Sequence, residues 1–221
     1  MELLEKIRRT MANLEELDVE NLEELVREAL KKHSAAEILE KALRPAMEEI
    51  GDKFEKGEYF LAELVFAADV FKDILNKYLK DKLAAERKAE TLGKVVIGTI
   101  EGDVHDIGKT IVATLLEAAG FEVVDLGVDV PAEKFVEEAE KHGAQVIAIS
   151  ALLTTTMFNM GKVIKLLEER GIRDKYIVIV GGAPVTEEFA RKIGADAYGK
   201  DAYDGVAKIR KLIREKFGIK A

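Results

Sequence analysis

A histidine flanked by carboxylates is the most distinctive chemical feature of this sequence. Asp103, His105 and Asp106 lie in the segment GDVHDIGK, residues 102–109. A carboxylate beside a histidine can accept the proton of one ring nitrogen, which fixes the tautomer and leaves the other nitrogen free to bind a metal ion. The spacing therefore indicates that His105 ligates a metal and that Asp103 orients it. The Asp-x-His pattern is common by itself, and an exposed loop histidine is the alternative.

The end of the same segment resembles a phosphate-binding loop. Gly108-Lys109-Thr110 has the letters that end a Walker A motif. The spacing between Gly102 and Gly108 is one residue too long for that motif. Asp103 would also place a carboxylate where the phosphates should lie. Both features argue against nucleotide binding through a phosphate loop.

The loop that carries these residues lies between a predicted strand and a predicted helix. From Lys94 onward strand and helix patterns alternate, which predicts a parallel sheet with helices on both faces. The predicted strands are 94–100, 121–126, 145–149, 176–180 and 196–199, and the predicted helices are 107–119, 131–142, 157–170, 185–193 and 201–216. We expect a flavodoxin-like (Rossmann-type) α/β domain with five strands in the order 2-1-3-4-5. Its ligand edge lies where the loops after strands one and three leave the sheet.

The first 80 residues or so show helical patterns only. Apolar residues recur at helical spacing in 22–30, 38–43 and 60–79. Asp18 and Ser34 are expected to cap the second and third helices. Helices joined by short loops predict an N-terminal four-helix bundle. On this pattern alone, the bundle is interpreted as a docking or dimerisation module.

The domain organisation follows from these two patterns. Residues 81–93 are charged and rich in alanine, and we interpret them as a linker. The sequence therefore predicts a helical domain, residues 1–88, followed by an α/β domain, residues 89–221. A flexible connection would permit a hinge motion between the two.

Composition limits the functional classes further. The chain has 221 residues, of which 48% are hydrophobic and 34% charged, enough for a sizeable core in one or two domains. A net charge of -8 argues against nucleic acid or anionic lipid as a partner. The absence of cysteine excludes a thiolate metal site and a cysteine nucleophile. The sequence shows neither an apolar run long enough for a membrane span nor a signal-peptide pattern, so we expect a cytoplasmic protein.

Three short segments together resemble the cobalamin-binding domain family. They are Asp103-x-His105-x-x-Gly108 after a strand, Ser150-x-Leu152 after a later strand, and Gly181-Gly182 after the next. Their order is that of the cobalamin domains of methionine synthase and of the small corrinoid proteins of methyltransferase systems. The resemblance implies that His105 displaces the cofactor's own base and ligates cobalt. It also implies that the displaced nucleotide tail lies in a slot between the sheet and its helices.

The same resemblance assigns further cofactor-binding positions in the α/β domain. Thr156 lies where methionine synthases carry a serine that completes a triad with the aspartate and the histidine, so it predicts an Asp103–His105–Thr156 relay. The alternative is that Thr155 or Thr156 caps the following helix. Asp106 is a candidate cap for the helix that starts at 107, and Lys109 is interpreted as a surface residue. The remaining expected cofactor contacts are Gly102, Val104, Asp106, Gly108, Ser150, Leu152, Thr154, Gly181, Gly182 and Ala202.

The helical domain also resembles part of this family. The segment 51–61 is similar to the Gly-Asp-x-Phe-x-x-Gly-x-x-Phe-Leu motif of the helical cap in methyl-transferring members. There, a Phe and a Leu cover the upper face of the corrin, and Phe54 and Leu61 match that pair. Leu64 lies one turn further on, and Glu40 matches a glutamate that contacts a corrin side chain. Ordinary bundle-core positions are the alternative for Phe54 and Leu61.

The resemblance implies a methyl carrier. A substrate-specific methyltransferase would load a methyl group onto protein-bound cob(I)alamin. An acceptor methyltransferase would move it from methylcobalamin to a thiol or to tetrahydrofolate, and a reductive activation protein would restore the cofactor. The chain would then be an enzyme component with no catalytic residue of its own, and the methyl donor is not readable from it. The alternatives are a cobalamin sensor or storage protein and a fragment similar to methionine synthase.

Overall fold

The computed structural model describes residues 2–86 and 91–219. The chain divides into two compact units, Met1–Glu90 and Thr91–Ala221. The predicted boundary between residues 88 and 89 lies outside the described residues, as does part of the predicted linker.

The first unit is helical throughout its regular structure. Asp18 and Ser34 cap the helices that follow them, since their side chains accept from the backbone N–H of Asn21 and Glu37, both at 3.1 Å. Both predicted caps are confirmed. The helices are α1 (Glu2–Ala12), α2 (Val19–Ala29), α3 (Ala35–Ile38), α4 (Arg44–Glu55), α5 (Leu61–Ile74) and α6 (Lys80–Glu86). Because two π-helical turns join α3 to α4 and α5 to α6, these segments form four continuous helices, as the sequence predicts.

The two π-helical turns were not predicted. The first, Leu39–Leu43, ends two residues before Pro45, which lacks a backbone N–H and whose ring clashes with the carbonyl of the preceding turn in a regular α-helix. A widened turn relieves that clash, and the N–H of Arg44 donates to the carbonyl of Leu39, five residues earlier. The second turn is Leu75–Leu79. It is followed by α6, so the first part of the predicted linker is helical, and the linker prediction is wrong there.

The second unit is a doubly covered parallel sheet. Its strands are β1 (Lys94–Thr99), β2 (Glu122–Asp125), β3 (Val146–Ser150), β4 (Ile177–Gly181) and β5 (Ala197–Gly199). All neighbouring strands pair in parallel in the order β2-β1-β3-β4-β5, which confirms the predicted topology. The helices are α7 (Ile107–Ala119), α8 (Ala132–His142), α9 (Met160–Glu169), α10 (Glu187–Ile193) and α11 (Ala202–Phe217). Short 3-10 turns occupy Met157–Asn159 and Arg173–Lys175, so the predicted helix 157–170 is regular only from Met160.

The core of this unit explains the alternation of the sequence. The central strands β1, β3 and β4 are almost fully buried, as strands covered on both faces must be. Phe135 of α8 and Val163 of α9 pack on one face with no exposed surface. None of the helices within the described residues has the length and hydropathy of a transmembrane span.

Candidate functional site

The carboxyl ends of four strands form one row at the edge of the sheet. In the register, Thr99 at the end of β1 pairs with Ser150, Ser150 pairs with Gly181, and Gly181 pairs with Gly199. The loop with His105 leaves this edge from β1, beside the loop that follows Ser150. The structure therefore brings the three predicted motifs to one place, as the strand order requires.

Asp103 is the centre of the hydrogen bonding at this edge. Its side chain has no exposed surface, and its Oδ1 accepts from His105 Nδ1 at 2.7 Å. Its Oδ2 accepts from the backbone N–H of Leu152 at 2.8 Å, from that of Leu153 at 3.1 Å and from Thr156 Oγ1 at 2.8 Å. The buried carboxylate is thus surrounded by donors, which ties the first loop to the loop after β3.

These contacts decide the charge of Asp103. Burial alone raises the pKa of a carboxyl, because it penalises the charged form. Here the hydrogen bonds from the His105 ring, the Leu152 amide, the Thr156 hydroxyl and the His105 amide outweigh that effect and hold the pKa of Asp103 far below its usual range. The carboxylate is therefore ionised at neutral pH and accepts at both oxygens.

His105 presents one ring nitrogen away from Asp103. Because an ionised carboxylate only accepts, Nδ1 carries a proton, and Nε2 is the nitrogen left to bind a metal. The side chain is 48% exposed, although its carboxylate partner is fully buried. A single fixed imidazole is the donor that suits a metal whose other positions are filled by a macrocycle.

Thr156 joins the network as the predicted relay requires. Its side chain is buried, and its hydroxyl lies within hydrogen-bonding distance of Asp103 Oδ2 and, at 3.0 Å, of the Leu153 carbonyl. It makes no side-chain cap to the following turn, so the capping alternative is wrong for Thr156. Its methyl group lies beside Gly102, where an added Cβ would come within 3.3 Å of it. The extra methyl relative to serine is therefore accommodated against a glycine.

Gly181 and Gly182 leave no room for side chains. Gly182 has a φ of +119°, and a Cβ there would lie 1.9 Å from the carbonyl oxygen of Ala151. A Cβ on Gly181 would lie 3.1 Å from the carbonyl oxygen of Gly199. The close approach of the Ala151 carbonyl therefore requires glycine at 182, and the passage for a nucleotide tail stays a prediction.

Apolar side chains that face solvent surround the histidine loop. Val104 is 69% exposed and Ile107 is 77% exposed, on either side of the histidine. Leu152 and Leu153 on the neighbouring loop are 45% and 41% exposed. Exposed apolar residues grouped in this way mark a binding surface. A single imidazole, an apolar rim and a glycine-lined edge together fit a corrinoid.

Two expectations for the loop and helix α7 are wrong. Asp106 occupies the N-cap position of α7 but makes no side-chain cap. Lys109 is not a surface residue: it is 4% exposed and pairs with Asp125 at the end of β2. Thr99 and Asp129 also bind the loop, through the His105 carbonyl and the Gly102 N–H, and neither was predicted. No sequence pattern signals these contacts, because each forms only when the folded sheet brings the loop to the residue.

The other predicted contacts of this unit lie at or near the same edge. Gly108 is exposed in the first turn of α7, and Thr154 is exposed in the loop after β3. Ala202 is the first residue of α11 and is partly buried.

The predicted contacts of the helical unit differ in exposure. Leu61 is 49% exposed at the start of α5, so it is not an ordinary core residue. Phe54 is partly buried, whereas Leu64 is 1% exposed within the core of its own unit. Glu40 lies in the first π-helical turn and pairs with Arg44. The neighbouring aromatic residues, Phe60 and Phe66, are 69% and 45% exposed, and they were not among the predicted cofactor contacts.

Comparison with known proteins identifies the family. Two family models, each described as a B12 binding domain, match residues 93–207 and 7–78, and the first alone covers more than half of the chain. The chain belongs to the B12-binding proteins. The resemblance seen in the sequence is thereby confirmed, and so is cobalamin as the cofactor of this B12-binding protein.

Its similarity to individual relatives extends over most of the chain. It is 47% identical to the dimethylamine corrinoid protein of Methanosarcina barkeri, over 86% of this chain and 88% of that one. It is 45% identical to the trimethylamine corrinoid protein of the same organism, over 90% and 98%. Among solved structures, a cobalamin-binding protein from Desulfitobacterium hafniense DCB-2 has a TM-score of 0.76 at 35% identity, covering 94% of this chain and 97% of that one. The methanol:cobalamin methyltransferase complex MtaBC from Methanosarcina barkeri has a TM-score of 0.81 at 31% identity, covering 96% and 80%.

Proposed function

We propose that this B12-binding protein is the methyl carrier of a methylamine methyltransferase system. Relatives with 45–48% identity are named for dimethylamine or trimethylamine. A substrate-specific methyltransferase would load the protein, and the similarity to the methanol:cobalamin methyltransferase complex supports that partner. An acceptor methyltransferase would unload it onto a thiol or tetrahydrofolate, and a reductive activation protein would restore the reduced cofactor.

One observation carries the proposal: a half-exposed imidazole whose Nδ1 is bonded to a fully buried, ionised carboxylate. When bound, cobalamin supplies a cobalt atom that takes up and releases a methyl group. The chain would supply the nitrogen ligand, Nε2 of His105. The Nδ1–H of the same ring donates to Asp103, and Asp103 in turn accepts from the Thr156 hydroxyl. A carboxylate one hydrogen bond from the ring strengthens the imidazole as a ligand. Activation of the methyl donor and acceptor belongs to the partner enzymes.

The remaining predicted residues have supporting roles in this proposal. Val104, Leu152 and the other exposed apolar residues of the rim would exclude water from the cofactor. Gly102 and Gly108 would let it approach the loop backbone. Ser150, Thr154, Gly181, Gly182 and Ala202 would border the nucleotide tail.

The helical unit, assigned to residues 1–88, is proposed to act as a cap on the cofactor through Phe54 and Leu61. The half-exposed Leu61 and the exposed Phe60 and Phe66 support an apolar binding face on this unit. Leu61→Ala should speed the reoxidation of the reduced, cobalamin-loaded protein in air. Unchanged reoxidation in this variant would exclude Leu61 from the cap.

The ligand assignment is tested with two histidine variants. His105→Gly should bind hydroxocobalamin without the absorption spectrum of histidine-ligated cobalt. His142→Gly is the matched control, because His142 also bonds a carboxylate, Glu138, but lies on helix α8. It should keep the wild-type spectrum. If His105→Gly kept that spectrum, His105 would not be the ligand.

The carrier role is tested by methyl transfer. The reduced, loaded protein is mixed with a methylamine methyltransferase and monomethylamine, dimethylamine or trimethylamine in turn, and the absorption change on methylation is followed. Methylation with one of the amines is expected, with the preferred amine set by the partner enzyme. Methylation by a methanol-specific system alone would overturn the methylamine assignment.

A further inference from the structure

Thr99 is a fully buried hydroxyl residue among apolar neighbours. It is the last residue of β1, after Val95, Val96 and Ile97, and has no exposed surface. Burying a hydroxyl at such a position costs free energy unless it is hydrogen-bonded, and valine would fill nearly the same volume without that cost. A hydroxyl here therefore needs a specific partner.

That partner is the backbone of the histidine loop. Thr99 Oγ1 donates to the carbonyl oxygen of His105 at 2.8 Å. The backbone of Thr99 is itself fixed, because its N–H donates to the Gly127 carbonyl and its carbonyl accepts from the Val130 N–H, both at 3.0 Å. The hydroxyl thus connects His105 to a rigid part of the sheet.

Asp103 alone does not fix the orientation of His105. The His105 backbone N–H and its ring Nδ1 bond to the same oxygen of Asp103, Oδ1, at 3.2 and 2.7 Å. Two bonds that end on one atom leave the residue free to pivot about that atom. The bond from Thr99 to the His105 carbonyl adds a second fixed point on the other side of the residue and removes that freedom.

We propose that Thr99 is a positioning residue that sets the orientation of the His105 imidazole toward cobalt. This inference rests on the proposed role of His105 as the ligand. Thr99 would touch neither the cofactor nor the methyl group, and it would act only through the backbone of His105. Ligand orientation to within a fraction of an ångström is what such supporting hydrogen bonds provide.

The test compares variants that differ in one hydroxyl. Thr99→Val removes the hydroxyl and keeps the shape, and Thr99→Ser keeps the hydroxyl. Thr114→Val is the matched control, because Thr114 is also buried and its hydroxyl also donates to a backbone carbonyl, that of Thr110 at 2.9 Å, within α7. For each full-length variant, the dissociation constant for hydroxocobalamin, the histidine-ligated fraction of its absorption spectrum, and the thermal midpoint of the cofactor-free protein are measured.

We expect Thr99→Val to bind hydroxocobalamin about 3- to 10-fold more weakly, the factor given by losing one hydrogen bond, with a mixture of ligated and unligated spectra. Thr99→Ser should match the wild type in its affinity for hydroxocobalamin and in its absorption spectrum. Thr114→Val should lower the thermal midpoint only. If Thr99→Val kept wild-type affinity and a fully ligated spectrum, the inference would be wrong. If Thr99→Val did not fold, Thr99→Ser and Thr99→Ala give the same contrast, and equal ligation in that pair would also overturn it.

His105→Gly separates this inference from the proposed function. Loss of the ligated spectrum in His105→Gly together with an unchanged Thr99→Val removes only the role of Thr99. An unchanged His105→Gly removes the ligand assignment, and the role of Thr99 with it.

Discussion

Two carboxylate–histidine pairs lie in the α/β unit, and they differ in almost every physical respect. In the loop, Asp103 has no exposed surface and bonds Nδ1 of His105 at 2.7 Å. On helix α8, Glu138 is 11% exposed and lies 3.1 Å from Nε2 of His142, one helical turn away. The first pair leaves the outer ring nitrogen, Nε2, available, whereas the second uses it. Of the two pairs, only the first lies at the carboxyl edge of the sheet with Nε2 left for a metal.

The source of the carboxylate's stabilisation differs as well. Asp103 is held by amides and a hydroxyl that the fold fixes in place. Glu138 is held by hydrogen bonds from the ammonium groups of Lys134 and then Lys141, which lower its pKa to about 2. Fixed neutral donors are little affected by salt, whereas exposed lysines are screened. The difference indicates that a histidine beside a carboxylate is suited to bind a metal when backbone amides hold that carboxylate in place.

The largest difference between the pairs should be in stability. Asp103→Ala leaves the amides of Leu152 and Leu153 without their acceptor, and leaves the Thr156 hydroxyl with only the Leu153 carbonyl. We expect it to lower the free energy of unfolding of the cofactor-free protein by about 2–4 kcal/mol. Glu138→Ala should cost less, because its partners Lys134 and Lys141 are 50% and 65% exposed and stay solvated without it. Urea denaturation measures the free energy of unfolding of both variants, and equal losses would contradict the distinction between the two pairs.

Ligand binding should separate the pairs next. Asp103→Asn keeps the shape of the side chain but adds a donor where only acceptors fit, so the His105 tautomer and orientation are disturbed. Hydroxocobalamin binding should weaken about 10- to 100-fold, the usual effect of losing the carboxylate behind a metal-ligating histidine. Glu138→Gln should bind as the wild type does. Titration followed by absorption measures the affinities, and a weakened Glu138→Gln would contradict the distinction.

A third pair of variants tests how much the ion pair between α7 and β2 contributes to stability. Lys109 is buried on α7 and pairs with Asp125, which is 41% exposed. Asp125→Ala leaves a buried ammonium group unpaired and should cost about 1–2 kcal/mol of unfolding free energy, since Asp125 is itself half solvated. Lys109→Met removes the charge together with the need for a partner and should cost less. The reverse order in urea denaturation would mean that the pair itself stabilises the fold.

The smallest expected effect is a pH and salt dependence of the contacts between Glu138 and its lysine partners on α8. Because the pKa of Glu138 falls from 4.5 to about 2 on folding, its contribution is complete above pH 4.5 and is lost as the pH falls toward 2. Added salt should reduce this contribution. The thermal midpoint of the wild type should therefore fall more between pH 5 and pH 3 than that of Glu138→Gln, and the gap should narrow in high salt. A gap that salt leaves unchanged would argue against lysine charge as its cause.

Sequence reasoning succeeded where the signal was local. The strand and helix alternation and the caps at Asp18 and Ser34 each depend on residues within a few positions of one another, so their patterns are readable. It failed for Lys109, whose partner Asp125 lies 16 positions away. It also failed for Thr99, whose hydroxyl reaches the His105 carbonyl only when β1 and the loop are folded. For the ligand loop, the residue types were predictable, and the supports that orient them were not.

The widened turn before Pro45 has a consequence for how this chain can vary. A π-helical turn holds one residue more than an α-helical turn over about the same rotation, so it absorbs that residue without turning α4 about the helix axis. Removing a single residue from Leu39–Leu43 should therefore restore a regular turn and keep Ile50 on the buried side of α4. The cost that remains is the clash of the Pro45 ring with the preceding turn, so such a deletion should be tolerated best when Pro45 is replaced as well.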